Sequence, residues 1–562
     1  MSELAPDAVL TVVEPISCPE SRGCPAEQLA AYSYTDRASC LLEIFTPGHG
    51  ICGTGYNRRK EDVVTEHNQA TVTPEAPEQG ERLHRGLSNR HIQLIAIGGA
   101  IGTGLFMGSG RAISLAGPSV IFVYMLIGAV IFLVLRAMGE ILLSNLRYKS
   151  FSDFTTDLVG PMAGFFLGWS YWFMWVVTAV ADIIAIVGYL RLWWPDLQAW
   201  IPALAVIGVL LTLNLVSVKN FGEIEFWFSM IKIVAIVALI IVGGAMVAIG
   251  FTSPSGAQAS VANLWNDGGM FPNHFIGFLG AFQIAVFAFM GSELVGTTAA
   301  ETKDPEKTLP RAINAVPVRI MVFYVGALVT ILMVTPWRLV SPDRSPFVAM
   351  FTLAGLGIAA HIINFVVITS ATSSANSGIF STSRMAFGLA RERSAPAFLG
   401  KVSKAGVPRN ALFLSAVMLL SSIVLLYAGD SISSAFNLVT TVAAVLVIFA
   451  WAMIMVSYLM YRKKFPSRHA KSKFRLPGGR FSAWLSLVFF AFTIGVLAMD
   501  EETLRGLLAM PVWFAILGIG WFFKRRADAR RHEAISTRTA QIAIVEARSE
   551  EHTSELQSHY SI

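Results

Sequence analysis

The chain has 562 residues, of which 54% are hydrophobic and 14% charged, and its formal net charge is +6. Soluble domains carry about 25% charged residues, and the apolar residues here form uninterrupted runs of the roughly 20 residues that a membrane span needs. The composition therefore excludes an ordinary soluble globular protein, and it gives no support for a nucleic-acid partner because the basic residues lie in short stretches between apolar runs.

The first 84 residues are predicted to be a disordered cytoplasmic tail. All four cysteines lie in it, at spacings that fit no zinc site. No basic start leads into an apolar segment, so no cleavable signal is predicted. Residues 1–62 have no periodicity, and no second methionine occurs before the first apolar run. We therefore expect translation to start at Val63 or Val64 and residues 1–62 to be non-native.

Residues 85–525 are predicted to be one membrane domain of twelve helices. The basic residues orient it, because 29 lysines and arginines flank the segment ends on one side and five on the other. Cytoplasmic loops carry the excess of positive charge, so both termini are expected in the cytoplasm. The predicted spans are 92–114, 118–143, 161–189, 199–217, 226–250, 274–300, 317–337, 347–383, 410–428, 433–460, 481–499 and 507–523.

A cytoplasmic tail is predicted for residues 526–562. Within it, RSEEHTSELQSH (Arg548–His559) resembles the translation of a sequencing adapter, and we expect no function from it.

Two of the predicted spans contain sequences that favour an interrupted helix. The first span holds four glycines in seven residues, GGAIGTG (Gly98–Gly104), and each glycine inside a helix costs about 1 kcal/mol relative to alanine. The sixth span holds a glycine, a serine and a carboxylate in FAFMGSE (Phe287–Glu293). Interruptions at corresponding places in two halves are typical of inverted-repeat transporters with a site at mid-membrane. A continuous, closely packed first helix is the alternative.

Such interruptions suit a zwitterionic ligand. A half-helix starting near Gly104 offers free N–H groups and a positive dipole end to a carboxylate. Carbonyl groups of the unwound backbone can accept hydrogen bonds from an ammonium group. Unpaired backbone is tolerated at membrane depth only where it lines a cavity, so the ligand would satisfy groups that are otherwise costly.

Four stretches resemble the amino acid permease family of the amino acid–polyamine–organocation superfamily. They are GGAIGTGLF, Ala116–Glu140, Phe287–Ala312 and SANSGIFSTSR (Ser374–Arg384). The resemblance covers about residues 85–525. Further stretches, among them KSFSDF and VKNFGEIEFWFSMIKIVAIV, are most similar to bacterial members that carry D-serine, D-alanine and glycine.

The resemblance implies a leucine-transporter-like fold, with two inverted five-helix repeats, two extra helices, and helices 1 and 6 unwound. It also implies a substrate site. Thr103 and Gly104 would bind the substrate carboxylate, and the carbonyls of Ala100, Phe287 and Met290 would receive the ammonium. Phe287 would cover the substrate, ordinary packing being its alternative. Gly102 and Gly291 complete the predicted set.

Charged residues inside the predicted spans suggest coupling or gating. Lys232 resembles a lysine that some relatives place where sodium-coupled members bind sodium, which favours proton coupling or a fixed surrogate cation. Its alternative is to extend its amino group to the cytoplasmic surface. Glu293 is expected either to relay protons or to hold the unwound segment by accepting backbone N–H groups. Both readings stay open.

Three further residues are candidates for the gate or the pathway. Asp182 lies in the third span, where a hydrogen-bonded structural carboxylate is the alternative. Arg136 and Glu140 lie one helical turn apart near the inner end of the second span, as a structural pair or as part of an inner gate. The small, polar run Thr369–Ser383 either packs against neighbouring helices or lines the inner pathway.

No motif indicates other chemistry. The histidines lack metal-ligand spacing, GTGLFMGSG follows no strand, and no Walker motif appears. The sequence predicts no cofactor, no metal site and no enzyme.

The leading interpretation is a proton-coupled importer of glycine, D-alanine and D-serine, with L-alanine as a further candidate, in the bacterial inner membrane. A permease for proline, γ-aminobutyrate or aromatic amino acids is the runner-up, and a membrane amino-acid sensor is the reading from another class. The sequence specifies no oligomeric state.

Overall fold

The computed structural model describes residues 101–148, 150–216, 218–254, 256–299, 304–403, 406–429 and 431–559. Within these ranges the regular structure is helical, apart from one isolated β-bridge between Thr252 and Gln258. The predicted N-terminal tail, Ala100 and the first nine residues of the first span lie outside the described residues.

Twenty-two α-helices follow one another along the described chain. They are α1 (Thr103–Phe106), α2 (Gly108–Ala116), α3 (Val120–Ser144), α4 (Phe151–Leu158), α5 (Pro161–Leu190), α6 (Trp200–Val216), α7 (Val218–Ala248), α8 (His274–Gly280), α9 (Phe282–Ala288), α10 (Leu294–Ala299), α11 (Pro305–Asn314), α12 (Val316–Arg319), α13 (Ala327–Val334), α14 (Pro346–Leu353), α15 (Gly357–Arg391), α16 (Arg409–Leu419), α17 (Ser421–Ala428), α18 (Ile432–Lys464), α19 (Pro466–Lys471), α20 (Arg480–Leu497), α21 (Glu501–Leu508) and α22 (Met510–His559).

Nine helices of the described chain are long and apolar enough to cross a membrane. Two shorter apolar helices, Trp200–Leu215 and His274–Ala288, accompany them. The nine are Gly108–Ser144, Pro161–Leu190, Glu225–Ala248, Pro305–Val334, Gly357–Arg391, Arg409–Ala428, Ile432–Lys464, Arg480–Leu497 and Glu501–Val545.

The predicted eighth span differs from the structure. Residues 347–383 were expected to form a single helix, but α14 ends at Leu353 and α15 starts at Gly357. Gly355, between them, has φ +77°, a conformation that glycine adopts without the steric cost that a side chain brings. The apolar run continues through this turn, so hydropathy does not register it. The long helix α15 then extends to Arg391, eight residues beyond the predicted end.

The centre of the fold is α5, which packs against α15 and α18. Its first residue is Pro161, whose missing N–H falls where a helix has no internal acceptor. Most of its residues are buried, including the large side chains of Tyr171 and Trp175. The segments α1 and α9 contact each other, α1 also lies against α5 and α15, and α9 lies against α18. This arrangement brings the two glycine-containing interruptions together inside the protein.

Candidate functional site

Of the first predicted interruption, Gly98–Gly104, the structure describes the residues from Ile101 onward. The backbone at Gly102 is extended, with φ −129° and ψ −161°, and α1 starts at Thr103. The N–H groups of Leu105 and Phe106 bond to the Gly102 carbonyl at 3.2 and 3.3 Å. Thr103 and Gly104 therefore occupy the first helical positions, where N–H groups have no acceptor within the helix. These N–H groups are available to a ligand.

The second interruption separates α9 from α10. Residues 289–293 form turns, and Gly291 has φ +89°, which favours glycine because it has no side chain to clash with the backbone. The Ala288 carbonyl, left free where α9 ends, accepts a 2.9 Å hydrogen bond from the Tyr324 hydroxyl. Tyr324 lies in a π-helical stretch, Ile320–Gly326. A wider helical turn thus supports an end of the interrupted helix.

Glu293 collects hydrogen bonds at the second interruption. Its Oε1 accepts from the Tyr171 hydroxyl at 3.1 Å and from the Gly291 N–H at 3.2 Å. Its Oε2 accepts from Trp451 Nε1 at 3.4 Å. The side chain is fully buried, and it connects α5, α18 and the turn itself. These contacts link the turn between α9 and α10 to α5 and α18.

The two interruptions lie in direct contact through Gly104. A Cβ atom at this position would stand 2.5 Å from the Ala288 Cα and 3.0 Å from a ring carbon of Phe287. Real Cβ atoms do not approach backbone so closely. Gly104 therefore permits the start of α1 to approach the end of α9, as a helix contact requires when its interface is built from small residues.

A small cavity opens where the interruptions meet. Its volume is about 10 Å³, which is the space of about one water molecule. An amino acid can therefore occupy it only when the lining side chains move apart. Its lining comes from α1, α5, α9, α15 and the second turn: Gly102, Thr103, Gly104, Trp175, Thr178, Phe287, Ala288, Met290 and Ser374.

Five of the predicted substrate-binding residues line this cavity. They are Gly102, Thr103, Gly104, Phe287 and Met290. Gly291 does not line it but shapes the adjoining turn, and Ala100 lies outside the described residues. The Phe287 ring is almost fully buried and stands edge-on to Phe436, with ring centroids 6.0 Å apart.

The predicted substrate-binding set lacked four lining residues of this cavity, namely Trp175, Thr178, Ala288 and Ser374. Trp175 and Thr178 lie on α5, which is apolar along most of its length and gives no signal for a site-facing side. Ser374 belongs to the polar run for which helix packing and pathway lining were both considered. In the structure this run does both, because Ser374 lines the cavity while Ser370 donates a 3.3 Å hydrogen bond to the Ile101 carbonyl.

Asp182 and Lys232 lie next to the cavity rather than in it. The Thr103 hydroxyl donates a 2.6 Å hydrogen bond to Asp182 Oδ1, and Asp182 is fully buried. Lys232 is also fully buried, so its amino group does not extend to the surface as the alternative reading had it. The charges of Asp182 and Glu225 both act on the Lys232 amino group. Glu225 was not recognised from the sequence.

Arg136 and Glu140 both bind the segment that links α18 to α20, far along the chain. Arg136 donates to Asn314 at 3.0 Å and to the Arg475 carbonyl, and its guanidinium lies 3.8 Å from the centroid of the Phe474 ring. Buried Glu140 accepts from the Leu476 N–H at 2.8 Å and has His469 Nδ1 at 2.5 Å. These contacts give the pair a structural role at this end of α3.

Comparison with known proteins adds independent information. Residues 91–532 match the family described as "Amino acid permease". The "D-serine/D-alanine/glycine transporter" of Escherichia coli (strain K12) is 60% identical over 454 residues, covering 80% of this chain and 97% of that protein. "Amino-acid permease AapA" of Bacillus subtilis (strain 168) is 48% identical over 439 residues, covering 78% and 94%. "Aromatic amino acid transport protein AroP" of Escherichia coli (strain K12) is 40% identical over 452 residues, covering 80% and 98%.

Proposed function

The chain belongs to the amino acid permease family, and from this premise we propose that it is a secondary active transporter of small neutral amino acids. The proposed substrates are glycine, D-alanine and D-serine, with L-alanine as a further candidate, imported together with protons. The observation that carries the proposal is the cavity formed where two interrupted helices touch at Gly104 and Ala288. No nucleophile or metal site is needed for this activity, and the protein is not proposed to be an enzyme.

The cavity offers complementary groups to an amino-acid zwitterion. The N–H groups of Thr103 and Gly104 start a half-helix, where a carboxylate is stabilised by hydrogen bonds and by the helix dipole. The carbonyls of Phe287 and Met290, with that of Ala100, are proposed to accept from the ammonium. The Phe287 ring, which lines the cavity, is proposed to cover the bound substrate.

The substrate's side chain is proposed to be small. Trp175 and Met290 occupy lining positions, and bulky side chains at these positions restrict the room for a substrate side chain. The relative with 60% identity, named for D-serine, D-alanine and glycine, supports the same class. The relative named for aromatic amino acids, at 40% identity, keeps a permease for larger or cyclic amino acids as the runner-up.

The architecture is proposed to be the leucine-transporter-like one, with twelve spans in two inverted repeats plus two helices. The protein is proposed to be a multi-pass component of a bacterial inner membrane, since the relatives at 60% and 48% identity come from bacteria. The excess of basic residues on one side supports termini in the cytoplasm. In that orientation the Arg136 and Glu140 contacts close the inner end of the pathway.

Proton coupling is proposed to involve the buried charges beside the cavity. Lys232 stands where its charge is compensated by two carboxylates, and Asp182 reaches the cavity through the Thr103 hydroxyl. Glu293, surrounded by three hydrogen-bond donors, is proposed to hold the second turn, with proton relay as its other reading. A sodium-coupled mechanism would contradict this assignment.

Uptake by reconstituted protein tests the substrate class. Labelled glycine should enter proteoliposomes when the outside is made acidic without sodium, and a protonophore should abolish its accumulation. Unlabelled D-alanine and D-serine should compete, whereas proline and phenylalanine should not. Equal inhibition by phenylalanine would contradict the small-substrate proposal, and uptake driven by sodium alone would contradict proton coupling.

Counterflow exchange of glycine distinguishes a transporter from a sensor. Vesicles loaded with unlabelled glycine should take up labelled glycine by counterflow even without an ion gradient. A sensor would bind glycine, which can be followed as a rise in thermal stability, but would not exchange it across the membrane.

A further inference from the structure

A second buried carboxylate accompanies Lys232 on its own helix. Glu225 lies seven residues before Lys232 in α7, which places it about 10 Å away along the helix axis. Both side chains have no exposed area. Asp182, from the neighbouring part of α5, is buried to the same extent. Three ionisable side chains thus share one buried region behind the cavity.

The two carboxylates face different surroundings. Asp182 accepts from the Thr103 hydroxyl at 2.6 Å, and Thr103 lines the cavity. Glu225 Oε1 accepts from the Ser373 hydroxyl at 2.6 Å, and Asn376 and Ser377 of the same helix also interact with its carboxylate. Glu225 therefore interacts with polar side chains of α15 that do not line the cavity, while Asp182 is bonded to Thr103, which does.

The net charge of Asp182, Lys232 and Glu225 predicts that one more proton is bound among them. Two carboxylates and one ammonium sum to a net charge of −1, and an uncompensated buried charge is strongly unfavourable in a low-dielectric interior. The other side chains that face the carboxylates from α1, α5 and α15 are neutral: Thr103, Tyr189, Ser373, Ser374, Asn376 and Ser377. A single bound proton brings the region to neutrality.

We propose that Asp182, Lys232 and Glu225 together hold one exchangeable proton. Glu225 is the group that releases this proton toward the cytoplasmic end of α7. This inference rests on the proposed transport function and adds to it a residue and a route. A proton bound at Asp182, beside the cavity, is transferred by way of the Lys232 amino group, which donates one proton to the Glu225 carboxylate and regains one from the Asp182 carboxyl. The charge of the three groups stays the same during the transfer.

The polar run on α15 continues the route beyond Glu225. Ser373 and Ser377 lie one helical turn apart, and Asn376 adjoins them. Asn376 Oδ1 also accepts from Asn214 of α6 at 2.8 Å. In the proposed orientation Glu225 lies toward the end of α7 that begins in the cytoplasm, so a proton leaving it enters the cell.

Glu225→Gln is the variant that tests the proposal. Glutamine keeps the shape and an acceptor for Ser373 but holds no exchangeable proton. Proteoliposomes with this variant should exchange glycine by counterflow at a rate within about threefold of the unaltered protein. Accumulation driven by an acidic exterior should fall at least tenfold, and the acidification of the lumen that accompanies glycine entry should disappear. Glu225→Asp should restore part of both signals.

Glu306→Gln serves as the control, because it removes one carboxylate from an exposed site on α11. Undiminished proton-driven accumulation by Glu225→Gln would overturn the proposal. Counterflow failing in the unaltered protein would instead overturn the transport function itself.

Should Glu225→Gln not fold, Ser373→Ala provides the second test. Losing the hydroxyl that stabilises the ionised carboxylate should shift the pH midpoint of driven uptake upward by at least half a unit. A midpoint identical to that of the unaltered protein would overturn the proposal.

Discussion

The two helix interruptions are held open in different ways. At the second, the chain supplies its own support, since Glu293 accepts the N–H of Gly291 only two residues away and Gly291 adopts a backbone conformation with φ +89°. At the first, support comes from other helices. Ser370 of α15 donates to the Ile101 carbonyl, and Asp182 of α5 accepts from Thr103.

This difference predicts how each interruption responds to substitutions. The second is held by local geometry as well as by contacts with α5 and α18, so we expect it to be the more rigid half of the site. The first is held by hydrogen bonds to α5 and α15, which a shift of either helix would break. We therefore expect substitutions at the second to change the site's shape, and substitutions around the first to change affinity more gently.

The largest effect is expected where the two interruptions touch. Gly104→Ala places a methyl group 2.5 Å from the Ala288 Cα, and overpacking of this kind costs about 3 kcal/mol or more. Glycine uptake should fall by at least about 100-fold, since each 1.4 kcal/mol is about tenfold. Initial rates in proteoliposomes measure this. Gly208→Ala, in α6 with no atom within 4 Å of the new methyl, should retain full activity, and equal losses in both variants would refute the contact argument.

A smaller effect is expected inside the second interruption. Gly291→Ala forces a side chain onto a backbone with φ +89°, at a cost of about 2 kcal/mol. The dissociation constant for glycine should rise about 30-fold, as followed by ligand-dependent thermal stabilisation. Gly269→Ala imposes similar strain at φ +76° with no neighbour within 4 Å. Its stability should drop while its glycine affinity stays unchanged. A loss of affinity in this control would show that strain anywhere, rather than the turn, is responsible.

The smallest effect is expected at the first interruption. Ser370→Ala removes the hydroxyl that satisfies the Ile101 carbonyl, and a hydrogen bond of this kind contributes about 1 kcal/mol. The KM for glycine should rise about fivefold, with little change in kcat. Ser383→Ala makes the same change in the same helix but loses a bond to the Phe380 carbonyl of its own helix. Equal KM shifts in the two variants would remove the special role of Ser370.

Hydropathy predicted where the helices lie because lipid requires long apolar runs, and the family assignment from motifs is confirmed by the match over residues 91–532. Hydropathy did not predict the turn at Gly355, which lies inside a continuous apolar stretch. It also set the start of the fifth span at 226, whereas α7 starts at Val218. Glu225 near that end is buried and accepts a hydrogen bond from Ser373 of α15, so it does not mark the end of the helix.

That boundary explains why Glu225 was overlooked. It lies one residue outside the predicted span and was not considered, and its contact with Ser373, 148 positions away in the chain, is not visible in the sequence. The glycine patterns predicted the interruptions that contain Gly102, Gly104 and Gly291, because the effect of glycine on backbone conformation is local. Trp175 and Thr178 line the cavity through tertiary packing alone, which no local pattern encodes.

The contacts of Arg136 and Glu140 tie the end of α3 to the connection between α18 and α20. Two regions separated by more than 300 residues are thereby held together. Any motion that widens this end of the molecule has either to carry both regions together or to break several hydrogen bonds at once. We therefore expect this end of the pathway to open in an all-or-none manner, so that partly open states are rare.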